Sequence, residues 1–252
     1  MKPGLQALTS GADYPPINIA VEEALRVRLS GLPGYMLTYV NAASVIIGRN
    51  QDPEYELTAH DNAGQLIPVY RRTSGGGAVF HDQGNLNWTF VVPGGLDDRA
   101  GLLAIVVEAL RANGIPASSG SRGEIMAWGY KIGGTASAAG KGVLMFHGTV
   151  LVSADLELLV RVLAAHHPSY PGKLAAGPSR RGVASVSSPV GNAAWFHPGL
   201  QTLDLETTLA EATSDSPAID WSSIIDSTTV DKLVETYASR SWIYRTTQKG
   251  TP

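Results

Sequence analysis

Three consecutive glycines constrain the fold and the function of this chain more than any other feature of its sequence. Gly75, Gly76 and Gly77 interrupt a strand-like region, and residues 85–90 after them alternate between polar and apolar side chains. This period of two predicts a half-buried β-strand. Because glycine has no Cβ atom, the three residues form either a plain hairpin turn or a loop that approaches a ligand closely.

The residues that flank the glycines favour the ligand loop. Arg71 and Arg72 precede Thr73 and Ser74, and His81 follows in the same stretch. A guanidinium group binds phosphate or carboxylate oxygens as a planar fork, and backbone N–H groups in a tight turn bind anions. Neither Gly-x-x-x-x-Gly-Lys-Ser/Thr nor a strand–Gly-x-Gly-x-x-Gly–helix pattern is present. The sequence therefore argues against a Walker-type nucleotidase and a Rossmann dehydrogenase.

The composition is that of an ordinary globular protein. The chain has 252 residues, a formal net charge of −3 and no cysteine. Nothing in it indicates a nucleic-acid partner, a disulfide or a thiolate site. No basic region followed by an apolar segment is visible at the N-terminus, and no apolar run approaches about 20 residues, so neither a signal peptide nor a membrane span is expected. We therefore expect a cytoplasmic protein without a membrane partner, folded as one large domain or two small ones.

Hydrophobic periodicity predicts an α+β fold. Helical spacing predicts helices over 17–30, 54–63, 97–113, 155–165, 203–213 and 228–239. Alternation and turn residues predict strands over 35–40, 44–48, 85–90, 124–128, 131–136 and 143–152. Residues 1–16 are expected to be irregular, and 168–199 to form an ordered loop over the site or a linker. Because strict βαβ alternation is absent, we expect a mixed, largely antiparallel sheet with flanking helices.

Two further positions are candidate site residues. Lys131 lies among small residues at the start of a predicted strand, although such a lysine is more often on the surface. His147 lies in another predicted strand, where a histidine is more often packed than catalytic. On the first predicted helix, Glu22 and Arg26 have i, i+4 spacing and are expected to be solvated on an exposed face.

The stretch 71–85 closely resembles the signature of the lipoate–protein ligase A family, within the biotin/lipoate protein ligase superfamily. Segments 45–53, 131–136 and 147–151 also resemble that family, and the resemblance extends from about residue 18 to residue 186. It implies a class II ligase-like catalytic domain over 1–245, followed by a tail at 246–252. It also implies that the small C-terminal accessory domain of longer members is absent, so a separate accessory subunit is a possible partner.

The resemblance implies an ATP-dependent ligase. Members of the family convert lipoate and ATP to lipoyl-AMP and pyrophosphate, with Mg²⁺. They then transfer the lipoyl group to a lysine of a lipoyl-carrier protein. The acceptor implied here is an E2 lipoyl domain, an H-protein or a dedicated lipoate-binding protein.

The resemblance also assigns roles to individual residues. Lys131 would bridge the lipoate carboxylate and the α-phosphate as the catalytic residue. ATP and lipoyl-AMP would be bound by Lys131, Arg72 and Asn85, together with the backbone amides of Gly77, Ala78, Val79 and Phe80. Lipoate would be bound by Ser74, Gly75, Gly76, Gly134 and His147. No protein residue is expected to form a dedicated metal site, and His81 is expected to hold the loop through Asp82.

Three places depart from the family pattern and keep alternatives open. Residues 120–124 replace the usual Gly-Arg-Asn-Asp, Gly133 replaces a serine, and Ser137 and Ala138 replace bulkier polar residues. The altered segment is the basis for a non-catalytic alternative, a subunit that binds lipoate or lipoyl-adenylate or docks a carrier. An ATP-independent octanoyl- or lipoyltransferase is less favoured because that chemistry uses a cysteine. A biotin ligase is disfavoured because its arginine- and glycine-rich loop is absent.

Overall fold

The computed structural model describes residues 3–29, 33–57, 67–163 and 185–245. The strands are β1 (Gln6–Ser10), β2 (Tyr35–Val40), β3 (Ser44–Ile47), β4 (Val69–Arg71), β5 (Val79–His81), β6 (Asn85–Pro93), β7 (Ala117–Ser119), β8 (Ile125–Ala127), β9 (Tyr130–Gly133), β10 (Thr135–Gly140), β11 (Val143–Leu151) and β12 (Ile219–Asp220). The helices are α1 (Pro15–Arg28), α2 (Pro53–Glu56), α3 (Arg99–Ala112), α4 (Leu156–Val162), α5 (Thr202–Thr213), α6 (Ser227–Tyr237) and α7 (Arg240–Ile243).

A six-stranded mixed sheet in the order β10-β11-β6-β2-β1-β12 organises these elements. The neighbours from β10 to β2 are antiparallel, whereas β1 runs parallel to both β2 and β12. Two three-stranded sheets, β4-β3-β5 and β7-β8-β9, carry the glycine loop and the Lys131 hairpin. The expected mixed, largely antiparallel sheet with flanking helices is confirmed.

Helices cover both faces of the six-stranded sheet. On one face, Trp88 and Phe90 of β6 pack with Leu110 of α3 and Leu209 of α5. On the other face, α1 and α6 pack against the sheet through the side chains Ile19, Leu25, Leu37, Val91, Met145, Val230 and Tyr237. The expectation of a half-buried strand at 85–90 is wrong, because β6 is central and is buried from Asn85 to Val92. Its polar face lies against α1 and a cavity rather than against water.

The N-terminal segment is the main error in the predicted elements. Residues 1–16 were expected to be irregular, but Gln6–Ser10 form β1, which is inserted between two parallel neighbours. α1 begins at Pro15, where a proline at the start of a helix is well tolerated because its missing N–H has no partner there. The strand expected at 131–136 is divided at Gly134 into β9 and β10.

Three predicted segments fall wholly or partly outside the described residues. Of the helix expected at 54–63, only Pro53–Glu56 is described as helical. The loop expected at 168–199 is described from residue 185 onward, and the tail at 246–252 is not described. Across the described ranges, no helix is long and apolar enough to cross a bilayer.

Candidate active site

A cavity of about 310 Å³ opens between the glycine loop, α1 and strands β6, β10 and β11. This volume is at the lower end of the range typical of small-molecule sites. Eight of the candidate site residues line it: Arg72, Gly76, Gly77, Ala78, Val79, Lys131, Gly134 and His147. The other four candidates, Ser74, Gly75, Phe80 and Asn85, are not among the residues that form its wall. The structure thus brings three separate stretches of sequence to one cavity.

Arg72 holds the glycine loop in shape through its own hydrogen bonds. Its guanidinium donates to the carbonyl oxygens of Gly75 at 2.5 Å and Gly77 at 2.7 Å, and to Oγ of Ser74 at 3.0 Å. Burial lowers the pKa of Arg72 to about 10, against the opposing effects of Glu22 and Tyr39, so it remains a cation at neutral pH. The guanidinium therefore orients the loop carbonyls and places a positive charge in the cavity wall.

The preceding arginine, Arg71, joins the start of this loop to the C-terminal part of the fold. Its buried guanidinium donates to the carbonyl oxygens of Ile243 at 2.6 Å, Gln51 at 2.7 Å and Gly48 at 3.0 Å. In return, Nε1 of Trp242 donates to the Arg71 carbonyl oxygen at 2.8 Å. Arg71 thus contributes to the foundation of the loop rather than to the cavity wall.

A buried polar network connects α1 with β11 and the glycine loop. Nδ1 of His147 lies 2.9 Å from Oε1 of Glu22, and Nε2 of His147 lies 2.6 Å from Oγ of Ser74. Tyr39 and Thr89 also donate to Oε1 of Glu22. Burial alone would raise the pKa of Glu22, but the charge and hydrogen bond of His147, with the two hydroxyl bonds, outweigh it and lower that pKa.

The expectation that Glu22 is solvated on an exposed face beside Arg26 is wrong. Glu22 is buried, and Arg26 pairs instead with Glu23, at 2.5 Å. The burial of Glu22 could have been predicted from the spacing of α1. Glu22 is three residues from both Ile19 and Leu25, so it lies on the apolar stripe of the helix. A carboxylate on that stripe predicts a buried polar partner across the sheet.

A second series of buried polar side chains ends at the cavity with an N–H donor that has no hydrogen-bond partner. Nδ2 of Asn18 donates to Oδ1 of Asn41, so the amide nitrogen of Asn41 faces Nδ1 of His81 at 2.9 Å. Nδ1 of His81 must therefore accept, and Nε2 carries the proton. That nitrogen is buried without a hydrogen-bond partner, and His81 lines the cavity. The expected contact through Asp82 is wrong, because Asp82 accepts from the backbone N–H groups of Gly84 and Asp155.

Three charged residues, Lys131, Arg122 and Glu124, form what we term the cationic end of the cavity. Burial lowers the pKa of Lys131, an effect that Glu124 opposes and Arg122 adds to. Burial would raise the pKa of Glu124, but backbone hydrogen bonds and the side chain of Arg122 lower it overall. Gly134 lies next to the lysine, since a Cβ atom there would make ordinary contact with Nζ at 3.4 Å. One carboxylate therefore faces two cations at this end.

The altered segment 120–124 supplies two members of this cationic end. Oε2 of Glu124 accepts from the backbone N–H of Arg122 at 2.7 Å, which closes the turn between them. The altered position Gly133 is also explained by packing, because a Cβ atom there would collide with the carbonyl oxygen of Thr149. No sequence pattern pointed to Arg122 or Glu124 as site residues, since their proximity to Lys131 depends on the β8–β9 pairing.

Two of the residues whose backbone amides were expected to bind phosphate, Ala78 and Phe80, have other contacts in this structure. The N–H of Ala78 donates to Oγ of Ser185 at 2.9 Å, and that oxygen also accepts from Nε2 of Gln51 at 3.1 Å. Phe80 packs in a hydrophobic cluster with Val45 and Ile47. Ser185, which the sequence analysis did not select, therefore lies against the glycine loop where an anion was expected.

Residues 14–212 match the protein family described as the lipoyl protein ligase A/B catalytic domain. The chain belongs to this family. The resemblance of its glycine-rich signature to lipoate–protein ligases is thus confirmed.

Curated relatives of this ligase-family chain are named lipoate–protein ligases. It is 35% identical over 185 residues to lipoate-protein ligase LplJ of Bacillus subtilis, which covers 72% of this chain and 54% of the relative. It is 33% identical over 208 residues to lipoate-protein ligase A of Psychrobacter cryohalolentis, which covers 82% of this chain and 59% of the relative. The matched region spans little more than half the length of these relatives.

Solved structures of ligases share the fold of this family member. A bipartite lipoate protein ligase from the archaeon Thermoplasma acidophilum, described with its E2 lipoyl domain, gives a TM-score of 0.77 at 25% identity and covers 99% of each chain. A lipoate-protein ligase A bound with ATP gives a TM-score of 0.75 at 25% identity, covering 98% of this chain and 100% of the other. These similarities confirm the ligase-like fold class.

Proposed function

We propose that this chain catalyses both steps of ATP-dependent lipoate–protein ligation. The observation that carries the proposal is that one cavity joins the cationic end to an apolar stretch of wall. Apolar side chains of this wall include Ile19, Ile46 and Val79. A fatty acid with a charged head and an apolar chain matches this division of charge, and ATP supplies the phosphate that the cationic end would bind.

In the first step, a carboxylate oxygen of lipoate attacks the α-phosphorus of ATP. The new bond joins that oxygen to phosphorus, while the bond from the α-phosphorus to the bridging oxygen breaks and pyrophosphate leaves with the electron pair. The ammonium group of Lys131 would contact both the carboxylate and the α-phosphate. A cation already in place stabilises the charge that accumulates on the phosphoryl oxygens, without reorganisation of solvent.

In the second step, the neutral amine of an acceptor lysine attacks the acyl carbon of lipoyl-AMP. The carbon–nitrogen bond forms, the acyl carbon–oxygen bond to AMP breaks, and the amine loses a proton to solvent. The fixed position of the anhydride beside Lys131 makes this step mainly one of proximity, which contributes about 7–11 kcal/mol in well-oriented reactions. The carboxylate and amine chemistry therefore needs no cysteine in the chain.

Mg²⁺ fits the carboxylate that the cationic end provides. Among the described residues, no three His, Cys, Asp or Glu side chains converge to hold a metal. Mg²⁺ typically binds through one or two carboxylates together with substrate phosphates and water. Glu124 would be the protein ligand, and the ion would supply positive charge to the phosphates.

Relatives support the identity of the substrates and of the acceptor. One structural neighbour is described as bound with ATP, and another as accompanied by its E2 lipoyl domain. We infer that this chain uses ATP and lipoate, and that its acceptor is a lysine of a lipoyl domain or of a similar carrier. The altered segment contributes Arg122 and Glu124 to the cavity, which favours catalysis over the non-catalytic alternative.

Release of pyrophosphate tests this function directly. The purified chain is incubated with ATP, Mg²⁺ and lipoate, without an acceptor, and compared with Lys131→Ala and with Lys232→Ala on the exposed surface of α6. We expect release by the parent and by Lys232→Ala, and at least a 100-fold loss in Lys131→Ala. Release by Lys131→Ala at the parent rate would refute the assigned role. A parent that releases no pyrophosphate but binds lipoyl-AMP would support the non-catalytic alternative.

A further inference from the structure

Three exposed aromatic side chains lie close to the start of β9, the strand that carries Lys131. Trp128 is 79% exposed, Trp195 54% and Tyr130 41%. We call these three residues the aromatic surface. Burial of a large aromatic ring is among the strongest apolar contributions to protein stability, so rings left in water indicate a surface on which something else packs.

The backbone of Trp128 shows that its exposed position is built into the fold. Trp128 is at the turn between β8 and β9 with φ of 46°, and the next residue, Gly129, has φ of 86°. A bulky residue rarely adopts a left-handed conformation, and such a conformation persists only where the surroundings enforce it. A glycine or asparagine would form the same turn at lower cost, so the turn itself does not require an indole.

The other two rings are fixed by contacts with each other and with a neighbouring segment. Tyr130 and Trp195 pack edge to face with their ring centroids 5.4 Å apart. Gly191 makes room for both, because a Cβ atom there would lie 2.9 Å from the Trp195 ring and 3.0 Å from the Tyr130 Cβ. The pair is therefore preorganised rather than a chance exposure of two rings.

The segment around Gly191 also forms hydrogen bonds with the backbone of Lys131. The N–H of Lys131 donates to the carbonyl oxygen of Pro189 at 2.8 Å, and the N–H of Gly191 donates to the carbonyl oxygen of Lys131 at 3.2 Å. The aromatic surface thus has a fixed position relative to Lys131. The same segment also contacts Arg122, whose Nη2 lies 3.5 Å from Oγ of Ser188, so a partner that packs on the aromatic surface lies near the cationic end of the cavity.

We propose that the aromatic surface is the docking site of the protein domain that carries the acceptor lysine. This inference rests on the proposed function, because ligation requires an acceptor protein at the opening of the cavity. The target lysine has a four-carbon stem, so the domain that bears it must approach the cavity opening. A standard interface covers about 800 Å² on each partner, far more than the opening, so the footprint extends onto neighbouring surface.

The chemistry of this region specifies what the acceptor domain presents. Trp and Tyr are enriched among the residues that dominate binding energy at protein interfaces, and they favour an apolar patch on the partner. Arg122 lies at the same end with a side chain that is 55% exposed. We therefore expect the acceptor lysine to be flanked by a small apolar patch and by acidic side chains.

A comparison of a protein acceptor with a small amine tests the docking site. Trp128→Ser/Trp195→Ser is compared with Leu203→Ser, which removes a side chain of α5 that is 65% exposed. Each variant is assayed for pyrophosphate release without an acceptor, for transfer to a purified lipoyl domain, and for trapping of the activated acid by hydroxylamine. We expect the double variant to raise KM for the lipoyl domain at least 10-fold, with release, trapping and the Leu203→Ser variant unchanged.

If the nucleotide or a second copy of the chain covered the aromatic surface instead, these assays would give different results. Loss of pyrophosphate release or of hydroxylamine trapping would show that the rings stack on the nucleotide, and would overturn docking. A change of oligomeric state with an unchanged KM would assign the surface to a second copy and overturn it as well. Direct titration of the chain with the lipoyl domain keeps the inference testable if the parent releases no pyrophosphate. Equal binding by parent and double variant would then refute it.

Discussion

Oε1 of Glu22 lies 2.9 Å from Nδ1 of His147, although 125 residues separate them in the sequence. This contact joins the first helix to the central sheet. Through Oγ of Ser74, which is 2.6 Å from Nε2 of His147, it reaches the glycine loop. Both the carboxylate and the imidazole are buried, so each depends on the other to satisfy its polar atoms.

Glu22→Gln is expected to destabilise the fold by about 1–3 kcal/mol, because a buried network loses its charged acceptor. Urea denaturation at pH 7 measures the loss, with Glu23→Gln as the control, since Glu23 forms only a partly exposed pair with Arg26. The contribution of Glu22 should be complete above its unfolded pKa of about 4.3 and should disappear as pH falls through the lower folded pKa. Equal stabilities of Glu22→Gln and the parent at pH 7 would show that the network does not stabilise the fold.

His81 is expected to make the fold sensitive to mild acid. Burial, followed by the charges of Arg72 and His147, lowers the pKa of His81 to about 3. The unfolded chain binds a proton near pH 6.5 while the folded chain does not, so stability falls with decreasing pH between these values, by up to about 1.4 kcal/mol per pH unit. The free energy of unfolding at pH 7.5 and pH 5 measures this slope.

The matched variants for this test are His81→Gln and His197→Gln. His81→Gln should have a shallower acid slope than the parent. His197→Gln should keep the parent slope, since His197 is exposed. Identical slopes in His81→Gln and the parent would contradict a neutral buried imidazole at position 81.

Arg71→Lys is expected to be strongly destabilising although it preserves the charge. Burial, with a smaller effect of Arg245, lowers the pKa of Arg71 to about 10, so the guanidinium is charged at neutral pH. The planar guanidinium donates to several backbone carbonyl oxygens at once. The ammonium group of a lysine cannot reproduce this arrangement of donors. We expect a loss of about 3 kcal/mol by urea denaturation, within the range for a broken buried polar network. Arg28→Lys on the exposed end of α1 should change stability by less than about 0.5 kcal/mol, and a similarly small effect at Arg71 would refute this role.

The sequence predicted what is local and not what depends on distant contacts. Lys131 and the glycine loop were found because each lies in a short run of unusual residues, and helices such as α5 because their apolar spacing is continuous. Glu22 was assigned to solvent because its partner, His147, lies on a distant strand. β1 was missed because its five residues show no clear alternation until β2 and β12 are placed beside them.

The bonds of Arg71 also set an order of events during synthesis of the chain. Its guanidinium donates to Ile243, a residue that is made 172 positions later. At about 5–20 residues per second, translation needs on the order of ten to thirty seconds to supply that carbonyl group. During this interval the Arg71 side chain has only the carbonyl oxygens of Gly48, Arg49 and Gln51, which precede it, as its native partners. The full set of bonds beneath the glycine loop can therefore form only after translation has passed α7.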